Sequence, residues 1–192
     1  TMMTDASFTA ARINPYNNAD ANVVNLSTSY RPVLDVENSN TTVPFNNAYA
    51  SCNTAPLNTP QPAFYYTYTP SLAGTGLCPN PAVNTNDDCY VYVAVSATTA
   101  PAGVNGFTNF ANWYTYYRAR MLAAKSAVGR TFSSLGENMR LAYQRINTCN
   151  AGLGVAATAA CPGTYVRRFT GAQRSDFFAW LLSSPMNNSR PL

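Results

Sequence analysis

Five cysteines and one lysine are the most reactive side chains of this 192-residue sequence, which contains no histidine. The side chain that titrates nearest neutrality is therefore missing, and acid–base and zinc chemistry lose their commonest residue. The carboxylates are Asp5, Asp20, Asp35, Glu37, Asp87, Asp88, Glu137 and Asp176, of which only Asp87 and Asp88 are adjacent. Nothing in that spacing asks for the carboxylate pair of a glycosidase. A Ser or Thr nucleophile would need Lys125 or a carboxylate as its base, and Lys125 falls in the middle of a helical stretch. The run Asn84-Thr-Asn86-Asp87-Asp88 spells the first ligands of a calcium loop, but it lacks the downstream Glu and ends at Cys89, so it reads as a solvated turn. No catalytic residue and no metal ligand is predicted.

The cysteines carry a different chemistry. In an oxidising compartment, pairing between sequence neighbours joins Cys78 to Cys89 and Cys149 to Cys161. Each bridge closes a loop of about a dozen residues, a constraint on the unfolded chain of roughly 3 kcal/mol. Cys52 is then left for a partner outside the sequence, or as a free thiol. In a reducing compartment the same residues would be small buried apolar groups. Sequons at Asn25, Asn40 and Asn187 fit the N-glycosylation pattern, though chance matches are expected in a sequence so rich in Asn and Thr.

Charged residues make up 10% of the chain, against roughly 25% in an ordinary soluble protein. Neutral polar groups supply the hydration instead, with 22 Asn and 21 Thr. This balance suits a secreted structural or adhesive protein better than a cytosolic enzyme. The net charge of +4 is spread thinly over eleven Arg and Lys125, without the dense basic run and interleaved aromatics of a nucleic-acid footprint. No apolar run reaches the roughly 18 residues of a membrane span, and Thr1 to Ser7 lack the features of a signal peptide. An internal or processed segment is expected, with any export signal or anchor outside it.

The elements that must position these groups fall into two parts. Residues 1–107 read as an irregular arm with a β-hairpin insertion. Within them, residues 63–69 and 89–96 are aromatic and β-branched runs bounded by Pro and Gly, and predict two paired strands. Their tyrosines make either a half-buried strand face or an adhesive aromatic surface. Residues 108–192 read as helix, strand and helix. Phe110, Trp113, Tyr114, Tyr117, Met121, Ala124, Val128, Phe132 and Leu135 recur at steps of three and four, predicting one long helix. Thr108 or Asn109 is its expected N-cap, Gly136 its left-handed terminator, and Gly129 a close packing contact. A strand over 139–147, a short strand at 165–169 and a last helix over about 172–182 complete an α/β pattern with a central sheet. Trp113 and Tyr117 are expected to be buried against Leu141 and Tyr143.

The core Asn112-Trp-x-x-Tyr-Tyr-Arg-x-Arg120, with the rest of 109–132 and Arg140 to Asn147, resembles the first helix and following strand of the von Willebrand factor A-like domain in PilY-type type IV pilus tip adhesins. Ala6 to Ala11 and Asn14-Pro-Tyr16 resemble the arm before that helix. Clear similarity covers about 109–147 and 172–182, while the 32–103 region reads as an insertion without a match. The resemblance implies a Rossmann-like α/β domain segment at an extracellular pilus tip. It also implies adhesion and pilus extension and retraction without turnover, with minor pilins or other tip components and a host or abiotic surface as partners. The family's A-domain carries a metal-dependent site on an Asp-x-Ser-x-Ser loop, so a divalent cation has a place in a complete domain. Here Asp5-Ala-Ser7-Phe-Thr9 fits that spelling loosely but follows no apolar strand, and Arg190 stands where a later Thr ligand is expected. A turn is the expected reading, with no cofactor. The alternative is a structural subunit of a surface fibre or surface layer.

Overall fold

The computed structural model describes residues 3–17, 21–31, 59–69, 89–144, 161 and 163–184. Two short strands, β1 (Ala11–Arg12) and β2 (Val23–Val24), pair antiparallel within the arm. Strands β3 (Phe64–Tyr68) and β4 (Tyr90–Ala94) pair antiparallel from Phe64 opposite Ala94 to Tyr68 opposite Tyr90, within the aromatic and β-branched runs expected to pair. Helices α1 (Gly106–Tyr116) and α2 (Arg120–Ser133) follow. Then come β5 (Arg140–Leu141), β6 (Arg167–Arg168) and α3 (Gly171–Ser183), with β5 antiparallel to β6. Among the described residues the strands form three separate antiparallel pairs.

The single long helix expected over 108–135 is two helices. Tyr117 closes α1 through its amide on the Trp113 carbonyl, and Ala119 is extended (φ −113°, ψ 147°) before α2 begins. Between them Arg118 turns inward, 5% exposed. Its guanidinium donates to the Tyr114 carbonyl at 2.7 Å and to the Ile13 carbonyl at 2.8 Å. The helical path yields to a contact with the arm.

Helix α1 also starts earlier than expected. Asn105 is extended, and its Oδ1 accepts from the amides of Phe107 (3.0 Å) and Thr108 (3.2 Å), so it supplies the cap in place of Thr108 or Asn109. The next residue must be glycine, because a Cβ on Gly106 would collide with the Ser96 carbonyl and the Thr99 hydroxyl. Gly106→Ala is expected to destabilise the protein by about 1–3 kcal/mol, read as a lowered denaturant midpoint. Gly136 does not terminate α2, since the positive-φ glycines among the described residues are Gly103 and Gly171. Gly129 makes no close contact, because a Cβ there would meet nothing within 4 Å.

Two main cores result. In the first, Ala11, Leu26 and Tyr30 of the arm and Ala63 and Phe64 of the hairpin pack on Phe110, Ala111 and Tyr114 of α1. Tyr30 is its centre, edge-on to Phe64, Phe110 and Tyr114 with ring centroids 6.0, 5.4 and 6.2 Å away. This core draws on both sides of residue 107. The second joins Tyr143, Phe169, Phe177 and Leu181, with Val128, Phe132 and Leu135 of α2 against them. A small third cluster, Ala119 and Leu122 with Tyr16 and Met121, joins the arm to the start of α2.

The break between α1 and α2 divides the predicted apolar stripe among these clusters. It also corrects the expected place of Trp113. That indole is 38% exposed and lies on Phe110 at 5.1 Å, while Leu141 and Tyr143 belong to the second core. Tyr117 is half-buried and points its hydroxyl at the Met3 sulfur.

Candidate binding surface

The motif Asn112 to Arg120 proves to be the dock for the arm. Asn112 accepts from the Ala6 amide at 2.8 Å and donates to the Asp5 carboxylate at 3.0 Å. One helical turn on, the Tyr116 hydroxyl donates to the Thr4 carbonyl at 2.8 Å, and Arg118 reaches the arm at Ile13. Ser126 of α2 donates to the Tyr116 carbonyl at 2.7 Å and meets the Tyr16 hydroxyl at 2.6 Å. The i, i+4 spacing of Asn112 and Tyr116 places both on one helix face, so an extended strand of arm can satisfy them in succession.

This dock engages the first residue of the loose Asp5-Ala-Ser7-Phe-Thr9 spelling. Asp5 is held by Asn112, and Ser7 and Thr9 bond to each other at 3.3 Å. Among the described residues no group of three or more His, Cys, Asp or Glu is placed to hold a metal ion. Asn84 to Asp88 and Asn188 to Leu192 lie outside the described residues, as do Asn40 and Asn187. Asn25 folds back on itself, its Oδ1 accepting from the amide and hydroxyl of Ser27 at 3.0 and 2.6 Å.

Lys125 is 2% exposed. Its Nζ donates to the carbonyls of Leu182 (2.8 Å) and Ser184 (2.6 Å), at the C-terminus of α3. A cation there satisfies helix-end carbonyls and complements the negative pole of the helix. The sequence placed Lys125 in a core helix without revealing this partner, which lies 57 to 59 residues away.

Burial raises the pKa of the Tyr16 phenol, partly offset by its bond to Ser126, and burial likewise raises that of Tyr143. The native state thus resists ionisation that the unfolded chain undergoes near pH 10. The stability these phenols contribute is intact below that pH and declines as pH rises through the higher native values. Unfolding curves between neutral pH and pH 11 should show a fall confined to the alkaline end.

Cys89, immediately before β4, is fully buried; Cys161 is 8% exposed, and both are disulfide-bonded. Cys52, Cys78 and Cys149 lie outside the described residues, and with them the pairings.

The β3–β4 ribbon presents the largest group of exposed aromatic rings among the described residues. Phe64, Tyr66 and Tyr68 share one face with Tyr90 and Tyr92 by strand alternation and register. Their rings form a ladder: Phe64 stacks on Tyr92 at 4.9 Å, Tyr66 meets Tyr92 at 5.9 Å, and Tyr68 meets Tyr90 at 5.4 Å. Phe64 is rooted in the first core, whereas Tyr66 is 56% and Tyr92 52% exposed. The opposite face is open too, with Tyr65 and Val91 exposed. The tyrosine ladder is therefore an uncharged aromatic surface held at its base by Phe64, and not the covered face of a core strand. Such rings bring large contact area at low entropic cost.

Comparison with known proteins bears on what this surface serves. Over 185 residues the chain is 34% identical to the type IV pilus biogenesis factor PilY1 of Pseudomonas aeruginosa strain UCBPP-PA14. Over 186 residues it is 34% identical to the PilY1 of strain PAK. The two alignments take in 96% and 97% of the chain but 14% of each relative. They include the 32–103 region, which had no match by inspection. No protein-family model and no solved structure matches the chain. Along nearly its whole length the chain is therefore similar to one segment of these type IV pilus biogenesis factors, and it spans about 14% of their length.

Proposed function

We propose that this chain is an extracellular segment of a type IV pilus tip adhesin and biogenesis factor, which binds surfaces through the β3–β4 aromatic ribbon without catalysing a reaction. The exposed pair Tyr66 and Tyr92, anchored through Phe64, is the observation that carries the reading. The similarity to PilY1 supports the pilus context, and there the partners are minor pilins or other tip components and a host or abiotic surface. The motif resemblance supports a von Willebrand factor A-like fold for the larger domain, with the antiparallel ribbons as additions to it. The disulfides of Cys89 and Cys161 support an oxidising compartment, with Cys78–Cys89 and Cys149–Cys161 as the proposed pairs. Replacing the matching segment of P. aeruginosa PilY1 with this chain tests the assignment. Surface pili and twitching motility should persist, and a chimera that is stable and exported yet leaves cells without pili would overturn it.

One observation favours a second reading, as a fibre or surface-layer subunit. Each strand of the ribbon has an edge without a third strand among the described residues, and such edges template pairing with a neighbour. Light scattering over a concentration series separates the two, since stable polymers would support the fibre.

A further inference from the structure

The β5–β6 ribbon places like charges face to face. Arg140 lies directly opposite Arg168. The Phe169 amide donates to the Met139 carbonyl at 2.8 Å, so the next pair, Arg140 and Arg168, occupies a non-hydrogen-bonded position, where opposed side chains come closest. Opposed like charges destabilise a strand pair. Both arginines and the neighbouring Arg167 are exposed, and among the described residues no carboxylate forms an ion pair with any of the three. Val166, two residues before Arg168, is 44% exposed, and at the margins of the ribbon Met139 is 37% and Tyr165 46% exposed. Arg167 lies over the Tyr165 ring at 5.4 Å.

We propose that this ribbon is a docking surface for an anionic phospholipid membrane. Paired guanidiniums match phosphate oxygens in geometry as well as charge. The charge calls for an anionic partner, and the apolar rim decides which one. Val166 and Met139 offer no plane on which a base could stack, one face of the Tyr165 ring is already taken by Arg167, and an acidic polysaccharide has no hydrocarbon to receive valine and methionine. A lipid surface accepts both parts: arginines at the phosphates, with valine, methionine and tyrosine at the headgroup boundary. The opposed arginines are thereby relieved of their mutual repulsion in the bound state. The surface is separate from the β3–β4 ribbon and independent of its role.

Co-sedimentation of the full chain with vesicles tests the proposal. Vesicles of equal parts phosphatidylglycerol and phosphatidylcholine should retain the protein, and pure phosphatidylcholine should not. With each basic residue near an anionic surface contributing about 1 kcal/mol, R140S/R168S should weaken binding about thirty-fold. Its thermal midpoint should stay level or rise, because a repulsion is removed. If that variant fails to fold, Val166→Asp serves instead and should weaken binding to the anionic vesicles, while Val104→Ser, at an exposed apolar residue outside both ribbons, should leave it unchanged. Equal retention by neutral vesicles, no retention of the folded protein by anionic ones, or unweakened binding by the substituted ribbon would each overturn the proposal. Displacement by a short single-stranded DNA would overturn it in favour of a nucleic-acid site.

Discussion

Lys125→Ala is expected to lower the unfolding free energy by about 3 kcal/mol. The substitution removes two charge-assisted hydrogen bonds, each worth about 1.5–3 kcal/mol, and leaves the Leu182 and Ser184 carbonyls without that donor at a helix end. It also empties the space of a side chain that is 2% exposed. Relief from burying a charge offsets part of this loss, which is why the expected total lies below the simple sum. Lys125→Met refills most of the volume, so it should recover the packing component and leave the hydrogen-bond component lost. Urea unfolding of the two variants separates these contributions. A loss of pilus function in either would then report a loosened junction between α2 and α3.

Phe177→Ala should cost more, about 3–5 kcal/mol. The ring is 2% exposed and touches five others: Phe132 at 4.8 Å, Phe178 at 5.2 Å, Tyr143 at 5.3 Å, Phe169 at 5.5 Å and Trp180 at 6.1 Å. Truncation opens a cavity where α2, α3 and the β5–β6 ribbon meet, and rings fixed on three sides cannot collapse into it. Trp113→Ala provides the comparison. Although Trp is the larger residue, its 38% exposure and packing on Phe110 limit the expected cost to about 1–2 kcal/mol. Equal losses for the two variants, measured from denaturant midpoints at constant slope, would contradict the division of the protein into these cores.

Features fixed by local chemistry were legible in the sequence. The aromatic and β-branched runs at 63–69 and 89–96, bounded by Pro and Gly, identified the hairpin, because such side chains fit a pleated strand. The last helix was placed within a residue at either end. Features fixed by distant partners were not legible. Tyr117-Arg118-Ala119 contains nothing hostile to a helix, and the break follows from Arg118 reaching a carbonyl 105 residues away. Helical spacing put Trp113 in the same stripe as Phe110 and Tyr114, yet a stripe has edges, and only the packing of the arm decides which edge is covered. The cap at Asn105 leaves no mark in the apolar pattern, whose first periodic position is Phe110. For the candidate surface, the tyrosines were visible but their exposure was not. A half-buried strand face and an adhesive face have the same residue pattern, and what distinguishes them is whether another layer covers the rings.

Surface adhesion by piliated cells carrying Tyr66→Ser and Tyr92→Ser in the complete protein tests the ribbon's role most directly. Both rings are more than half exposed, so the substitutions should leave export, piliation and the thermal midpoint of the purified chain unchanged. Attachment to the cell's natural substratum under flow should fall at least ten-fold. Attachment equal to that of the parent cells, with normal amounts of the substituted protein on the pili, would contradict the assignment of this ribbon as the adhesive surface.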